Sequence, residues 1–209
     1  MKKVLVLVLL VALCSPCAFA QYGQKTEAND VILETEDIRV FPVYADKWSE
    51  DNHFAPSGWM GDYGDISIND NYRQDTHSGK SCIQVKYSAE GSNGAGWMGV
   101  YWQNPPNNWG DQMGGYDLSN HKKLTFWAKG ENGGEVIAEF KLGGIGGMYS
   151  DSDSMSIGPI TLTKNWKEYT INLKDIDLSY ISGGFCLSAR ASENPKGFTI
   201  YLDDIKYSE

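Results

Sequence analysis

Two kinds of side chain in this sequence have the chemistry to act on another molecule: a run of large aromatics and a scatter of carboxylates. In the stretch GAGWMGVYWQNPPNNWG, residues 94–110, Trp97, Tyr101, Trp102 and Trp109 fall within one predicted strand and the loop behind it. Flat rings stack on the apolar faces of sugars much as they stack on each other, whereas a sandwich core favours branched aliphatics with an occasional Trp. The four rings therefore read either as a ligand platform or as core. Alternate strand residues point to opposite sides, so Trp97, Gly99 and Tyr101 share one face and Met98, Val100 and Trp102 the other. One of these faces is expected in the core and the other free. Trp59 joins the candidate set from segment 46–65, which reads as a long loop rich in Asp, Gly and aromatics, and loops of that length are uncommon unless they are functional or disordered.

Hydrolysis of a glycosidic bond needs two acids roughly 5 to 10 Å apart. Asp62 with Asp65, Glu131 with Glu135, and Asp151 with Asp153 are the close pairs. None has an E-x-D-x-x-E spacing, which would set alternating carboxylates on one strand face, and they read as surface acids. His53, His77 and His121 are the only histidines and are far apart, with no spacing for a zinc site or for the base of a nucleophile. There is no G-x-S-x-G and no glycine-rich phosphate loop. A lyase that uses Tyr and His needs no sequence neighbours, so a glycoside hydrolase or polysaccharide lyase stays open as the alternative to a binding protein.

Lys2 and Lys3, the apolar run Val4–Leu13 and the small-residue end at Ala20 read as a signal peptide over 1–20, cleaved after Ala20. That run is too short to span a bilayer, so no transmembrane segment is expected and the mature chain is secreted or periplasmic. Cys14 and Cys17 follow Leu13 and Pro16, where a lipid-anchor motif needs a small residue, and a lipoprotein is rejected. The formal charge of the whole chain is −9, and loss of Lys2 and Lys3 makes it more negative still. Nucleic acid is excluded as a partner, because a binder would need a basic patch. Cys82 and Cys186 remain in the mature chain, each in a predicted strand, and read as one disulfide or as two buried thiols.

Residues 21–36 read as a loose lead-in and 37–209 as one domain, with no room for an attached enzyme. Strands are predicted at 38–44, 82–87, 97–103, 124–129, 135–142, 160–163, 167–173, 184–189 and 198–207, the fourth and fifth as a hairpin across Gly130–Gly134. Only 174–180 hints at a helical turn. Regular strands without an amphipathic helix make this an all-β chain, a jelly-roll β-sandwich of two antiparallel sheets.

The phrases YDLSNHKKLTFWAKG at 116–130, NWKEYTINLKDI at 165–176 and GFTIYLDDIKY at 197–207 resemble secreted carbohydrate-binding modules of the galactose-binding-like jelly-roll group. PSGWMGDYGDI at 56–66 and HSGKSCIQVKY at 77–87 extend the likeness into the first half. The resemblance implies non-catalytic binding of a glycan or polysaccharide by exposed rings, with Trp59, Trp97, Tyr101, Trp102 and Trp109 as the site. It also implies a structural calcium. Asp203 of the DDI phrase would hold it, with carbonyls of Ser78 and Lys80 and with Asp46; a hard cation takes such oxygen ligands. Without a metal, Asp203 and Asp204 simply end a strand.

Overall fold

Alternation of apolar and polar residues builds the chain into strands whose apolar sides meet. The structure, a computed structural model, describes residues 40–209; the leader and the lead-in fall outside the described residues. The strands are β1 (Phe41–Tyr44), β2 (Ala55–Gly61), β3 (Ile66–Tyr72), β4 (Cys82–Tyr87), β5 (Trp97–Gln103), β6 (Lys123–Gly130), β7 (Val136–Ile137), β8 (Glu139–Gly143), β9 (Ser154–Ile157), β10 (Ile160–Thr161), β11 (Lys167–Asn172), β12 (Gly183–Arg190) and β13 (Phe198–Ser208). The first sheet runs β11-β6-β13-β4-β3, with β1 also on β13, and the second runs β2-β5-β12-β8-β9. β7 and β10 form a separate two-stranded ribbon. The pairings are antiparallel, and the chain crosses repeatedly between sheets, as in the expected all-β sandwich. Among the described residues no helix is long and apolar enough to cross a membrane.

The core lies between the sheets. Ile83 and Val85 of β4, Phe126 and Ala128 of β6, and Ile200 and Leu202 of β13 face Val100, Phe140, Phe185 and Leu187 from the second sheet, all fully buried. The Phe126 ring lies 4.6 Å from Phe140 and 5.1 Å from Phe185. Burial of such side chains stabilises by about 1.5–3 kcal/mol each, set against the entropy of ordering them.

The structure corrects the sequence reading in three places. Segment 46–65 contains β2, and β3 follows at once; its Gly, Pro and polar residues hid both. β6 and β8 lie in different sheets, so the 124–142 hairpin is instead a crossover, with β7 paired to β10. Residues 174–180 form turns without a helix. Of the two readings of the cysteines, the structure has that of buried thiols, since Cys82 and Cys186 are free and buried. Cys82 alternates with inward-facing Ile83, while Cys186 packs with Tyr101 and Ile145 outside the main core of the second sheet, so the thiols sit on opposite outer faces and form no disulfide. Burial pushes the Cys82 thiol up to about 12.

Candidate functional site

β5 and β12 run side by side through the second sheet, with Trp97 opposite Arg190, Gly99 opposite Ser188 and Tyr101 opposite Cys186. Directly opposed residues share a face, and here it is the outer one, because Met98, Val100, Leu187 and Ala189 are in the core. β2 adds Met60, opposite Gly99, and β8 adds Glu139 and Lys141, opposite Ser188 and Cys186.

Glycines make the floor on which Trp97 lies. A methyl group on Gly99 would sit 3.1 Å from Trp97 Cζ3 and 2.7 Å from Met60 Cε, and one on Gly61 would sit 3.0 Å from Trp97 Cδ2. The indole thus settles against backbone and stays 38% exposed. Its strand is entered through the 91–96 turn, which Asp62 holds. Asp62 Oδ1 accepts the Asn93 and Ala95 N–H groups at 2.9 and 2.8 Å, and Oδ2 accepts that of Gly96 at 2.8 Å. The Ala95 bond, with those of Asn93 and Gly96, keeps the Asp62 carboxyl below its ordinary range although burial works against it. Beside Trp97 a cleft of about 390 Å³ is lined by Glu139, Ser156, Gly158, Ser188 and Arg190.

Trp109, 43% exposed, closes the other end. Buried Gln103 donates from Nε2 to the Asn108 carbonyl at 2.7 Å and accepts from Ser57 Oγ at 3.0 Å, fixing the 104–110 loop. Gly110 then passes so close to the Gly146–Gly147 backbone that no side chain would fit, and Tyr149 N–H donates to its carbonyl at 2.9 Å. The Trp109 ring stands edge-on to Tyr101, centroids 6.1 Å apart.

Of the expected ring set, then, the structure brings Trp97 and Trp109 to one open face. Trp102 is corrected: at 1% exposure it packs edge-on to Phe185, on the core side that alternation assigns to it. Tyr101 is also corrected, being buried beneath Ile145, with its hydroxyl on the Gly143 carbonyl at 3.0 Å. Trp59 pairs with Val100, so its register sets it on the reverse side of the edge strand from Met60 and Trp97, apart from their platform. Sequence reasoning missed Arg190, Ser188 and Glu139. The alternation in GGFCLSAR, with Phe185, Leu187 and Ala189 inward, was the signal available for the first two.

Two of the three close acid pairs serve the loops. Asp62 is fully buried, Asp65 accepts from Gly91 N–H, and Asp151 accepts from Ile145, Ser182 and Gly183 N–H groups. They are anchors for turns, and neither Asp62 nor Glu135, 8% exposed, is the surface acid its sequence context suggested.

The first sheet's outer face also carries rings, but the 73–81 segment covers them. His77 stacks on Trp127 at 3.7 Å, and Trp166 Nε1 donates to the Asp75 carbonyl. Lys129, paired with Asp75, is buried 4.9 Å from the Tyr201 ring centre and 5.6 Å from that of Trp166. The turn 77–81 is clasped by two carboxylates. Asp203 Oδ2 accepts the His77 and Ser78 N–H groups at 2.9 and 3.2 Å, and Asp46 Oδ1 accepts those of Lys80 and Ser81 at 2.7 Å each. Burial pushes the Asp203 carboxyl up to about 6, Asp204 adding to the rise against the hydrogen bonds. Among the described residues no three His, Cys, Asp or Glu side chains group as a metal site, so a cation here would draw on backbone oxygens and water beside Asp46 and Asp203. Asp46 and Asp203 are the two carboxylates from which such an oxygen set would start, and each already accepts backbone N–H groups of the turn, Asp203 Oδ1 also that of Asp204 at 2.9 Å.

Residues 45–209 match the family model described as carbohydrate binding domain 30. No curated protein matches. Among solved structures, a family 30 carbohydrate-binding module is 20% identical, with a TM-score of 0.57 over 82% of this chain and 99% of that one. The family 30 module of a cellulosomal cellulase of Clostridium thermocellum is 19% identical, with a TM-score of 0.54 over 81% and 96%. At such identities the structural likeness is one of fold.

Proposed function

The chain belongs to the carbohydrate binding domain 30 family, whose modules bind without catalysis, and from that premise we propose that it holds a polysaccharide on the second sheet's outer face, between Trp97 and Trp109. The observation that carries this reading is the Trp97 indole, laid on a floor of glycines and open to solvent beside a polar cleft. An indole so held offers an apolar plane to the C–H face of a pyranose without ordering a flexible side chain. Arg190, Glu139 and Ser188 stand where hydroxyl groups at the edge of the sugar need donors and acceptors. Four residues of strand separate Trp97 from Tyr101, about 14 Å, and Trp109 lies beyond, so the two rings frame several sugars of a chain rather than one.

Retardation in gels containing β-glucan, with calorimetry on cellotetraose, tests the reading. Trp97→Ala and Trp109→Ala should each weaken binding by about 1 kcal/mol or more, with melting temperatures close to that of the parent. Parent-like affinity in both variants would remove the platform from this face.

The calcium belongs to the same proposal. Asp46 and Asp203, with carbonyls of Ser78 and Lys80, would hold it. When bound it supplies positive charge to a buried carboxylate and ties β13 to the turn before β4. The signal peptide and secretion remain the reading of Lys2, Lys3 and the apolar run that follows.

A further inference from the structure

A second exposed indole lies on a different part of the molecule. Trp48 follows β1 and is 76% exposed, yet its backbone is fixed on both sides. Lys47 N–H donates to Ser81 Oγ at 2.9 Å, Ser49 N–H to the Asp46 carbonyl at 3.1 Å, and Asn52 Nδ2 to that same carbonyl at 2.7 Å. A ring presented by so well-tied a turn loses little freedom on contacting a ligand. It walls a crevice of about 330 Å³ at the edge of the first sheet, with Asp46, Asn71, Arg73 and Lys80 around it.

The charges of this crevice differ from those of the groove. Lys47 is paired with Asp70 at 2.5 Å, and Asp46 has three donors of the 80–81 turn on one oxygen. Arg73 and Lys80 are exposed and have no carboxylate partner among the described residues. The chain as a whole is acidic, but at physiological salt charges farther than about 8 Å are largely screened, and of the charged side chains that line the crevice the two cations outnumber Asp46.

We propose that the Trp48 crevice is a second binding site, for a sugar that carries a carboxylate. The indole takes the C–H face of a uronate ring and the Arg73 guanidinium takes its carboxylate, with Lys80 as a further cation. A neutral sugar uses the ring and leaves both cations without a partner. The proposal rests on the chain being a polysaccharide-binding module but uses none of the groove residues.

The test is an NMR titration of the described domain within the full chain, using a galacturonate trimer and, separately, cellotetraose. The trimer is expected to shift the Trp48 indole N–H and the backbone of residues 71–81, equally in the parent and in Trp97→Ala, and to bind more weakly as salt is raised. Trp48→Ala and Arg73→Gln should each weaken it at least fivefold while leaving cellotetraose binding unchanged; Arg73→Gln serves if the first variant folds poorly. A trimer that perturbs only the Trp97 groove, that perturbs nothing at millimolar concentration, or that binds Arg73→Gln as tightly as the parent overturns the proposal. So does cellotetraose acting at Trp48 as strongly as the trimer. Failure of cellotetraose at Trp97 counts against the groove alone, since the trimer is read out at different residues.

Discussion

The two outer faces of the sandwich carry comparable rings and put them to opposite ends. On the first sheet, Trp127 lies under His77, and Tyr201 and Trp166 flank the buried ammonium of Lys129, which Asp75 pairs from above. On the second sheet, Trp97 lies against Gly61 and Gly99, and among the described residues nothing of that kind folds over it. Each ring is immobilised, in one case by partners stacked above and in the other by the removal of side chains beneath. Only the second leaves a plane that a ligand can reach. Aromatic content thus says little about binding until the residues over and under each ring are known.

Substitutions can break that contrast, beginning between the faces. Trp102→Ala removes a fully buried ring touching Phe185 and should cost about 3–5 kcal/mol by calorimetric or denaturant unfolding; glycan binding should disappear only where the fold does. Next comes the proposed calcium. A cation that binds only the folded chain at a hundredfold above its dissociation constant adds about 2.7 kcal/mol. Chelation should therefore lower the melting temperature by several degrees and leave binding at low temperature intact, and Asp203→Ala should abolish the response. A melting temperature indifferent to chelator in the parent would mean that the hydrogen bonds of Asp46 and Asp203 hold the turn alone.

Trp127→Ala sharpens the comparison directly. It should cost about 1–3 kcal/mol of stability through the lost stack on His77 and leave the affinity for β-glucan untouched, the reverse of Trp97→Ala. A loss of affinity there would mean that the covered face also meets ligand.

The smallest effect is that of acid. Backbone N–H groups lower the Asp62 carboxyl in the folded chain, so its contribution is complete above the ordinary carboxylate range and is lost as pH falls through the folded value. Melting temperatures measured from pH 7 down to about pH 3 should fall more steeply for the parent than for Asp62→Asn, from which this titration is missing. Parallel slopes would remove Asp62 as the acid-sensitive tie of the turn before Trp97.

Local pattern carried a good part of this into the sequence. Alternation in WMGVYWQ set Trp97 and Tyr101 apart from Trp102, and the structure keeps that division. Including Trp102 among the binding rings followed its chemical type against its own register. β2 was illegible because APSGWMG holds Pro and two Gly, and β3 because ISINDNY is a polar edge strand with little apolar alternation. Gly99 and Gly110 could not be assigned at all, and Asp62 reads in the sequence as a surface acid. Their roles come from loops and strands that reach them from distant sequence, and a single chain read in order gives no measure of such proximity.

The position of β13 bears on how the molecule comes into being. The last long strand of the chain, Phe198–Ser208, lies between β4 and β6 and also carries β1. A nascent chain still missing these residues has every other strand of the first sheet but no centre to assemble them on, and the Asp203 clasp on the 77–81 turn is absent as well. Closure of the first sheet thus waits for this strand, at the cost of slow pairing between segments distant in sequence.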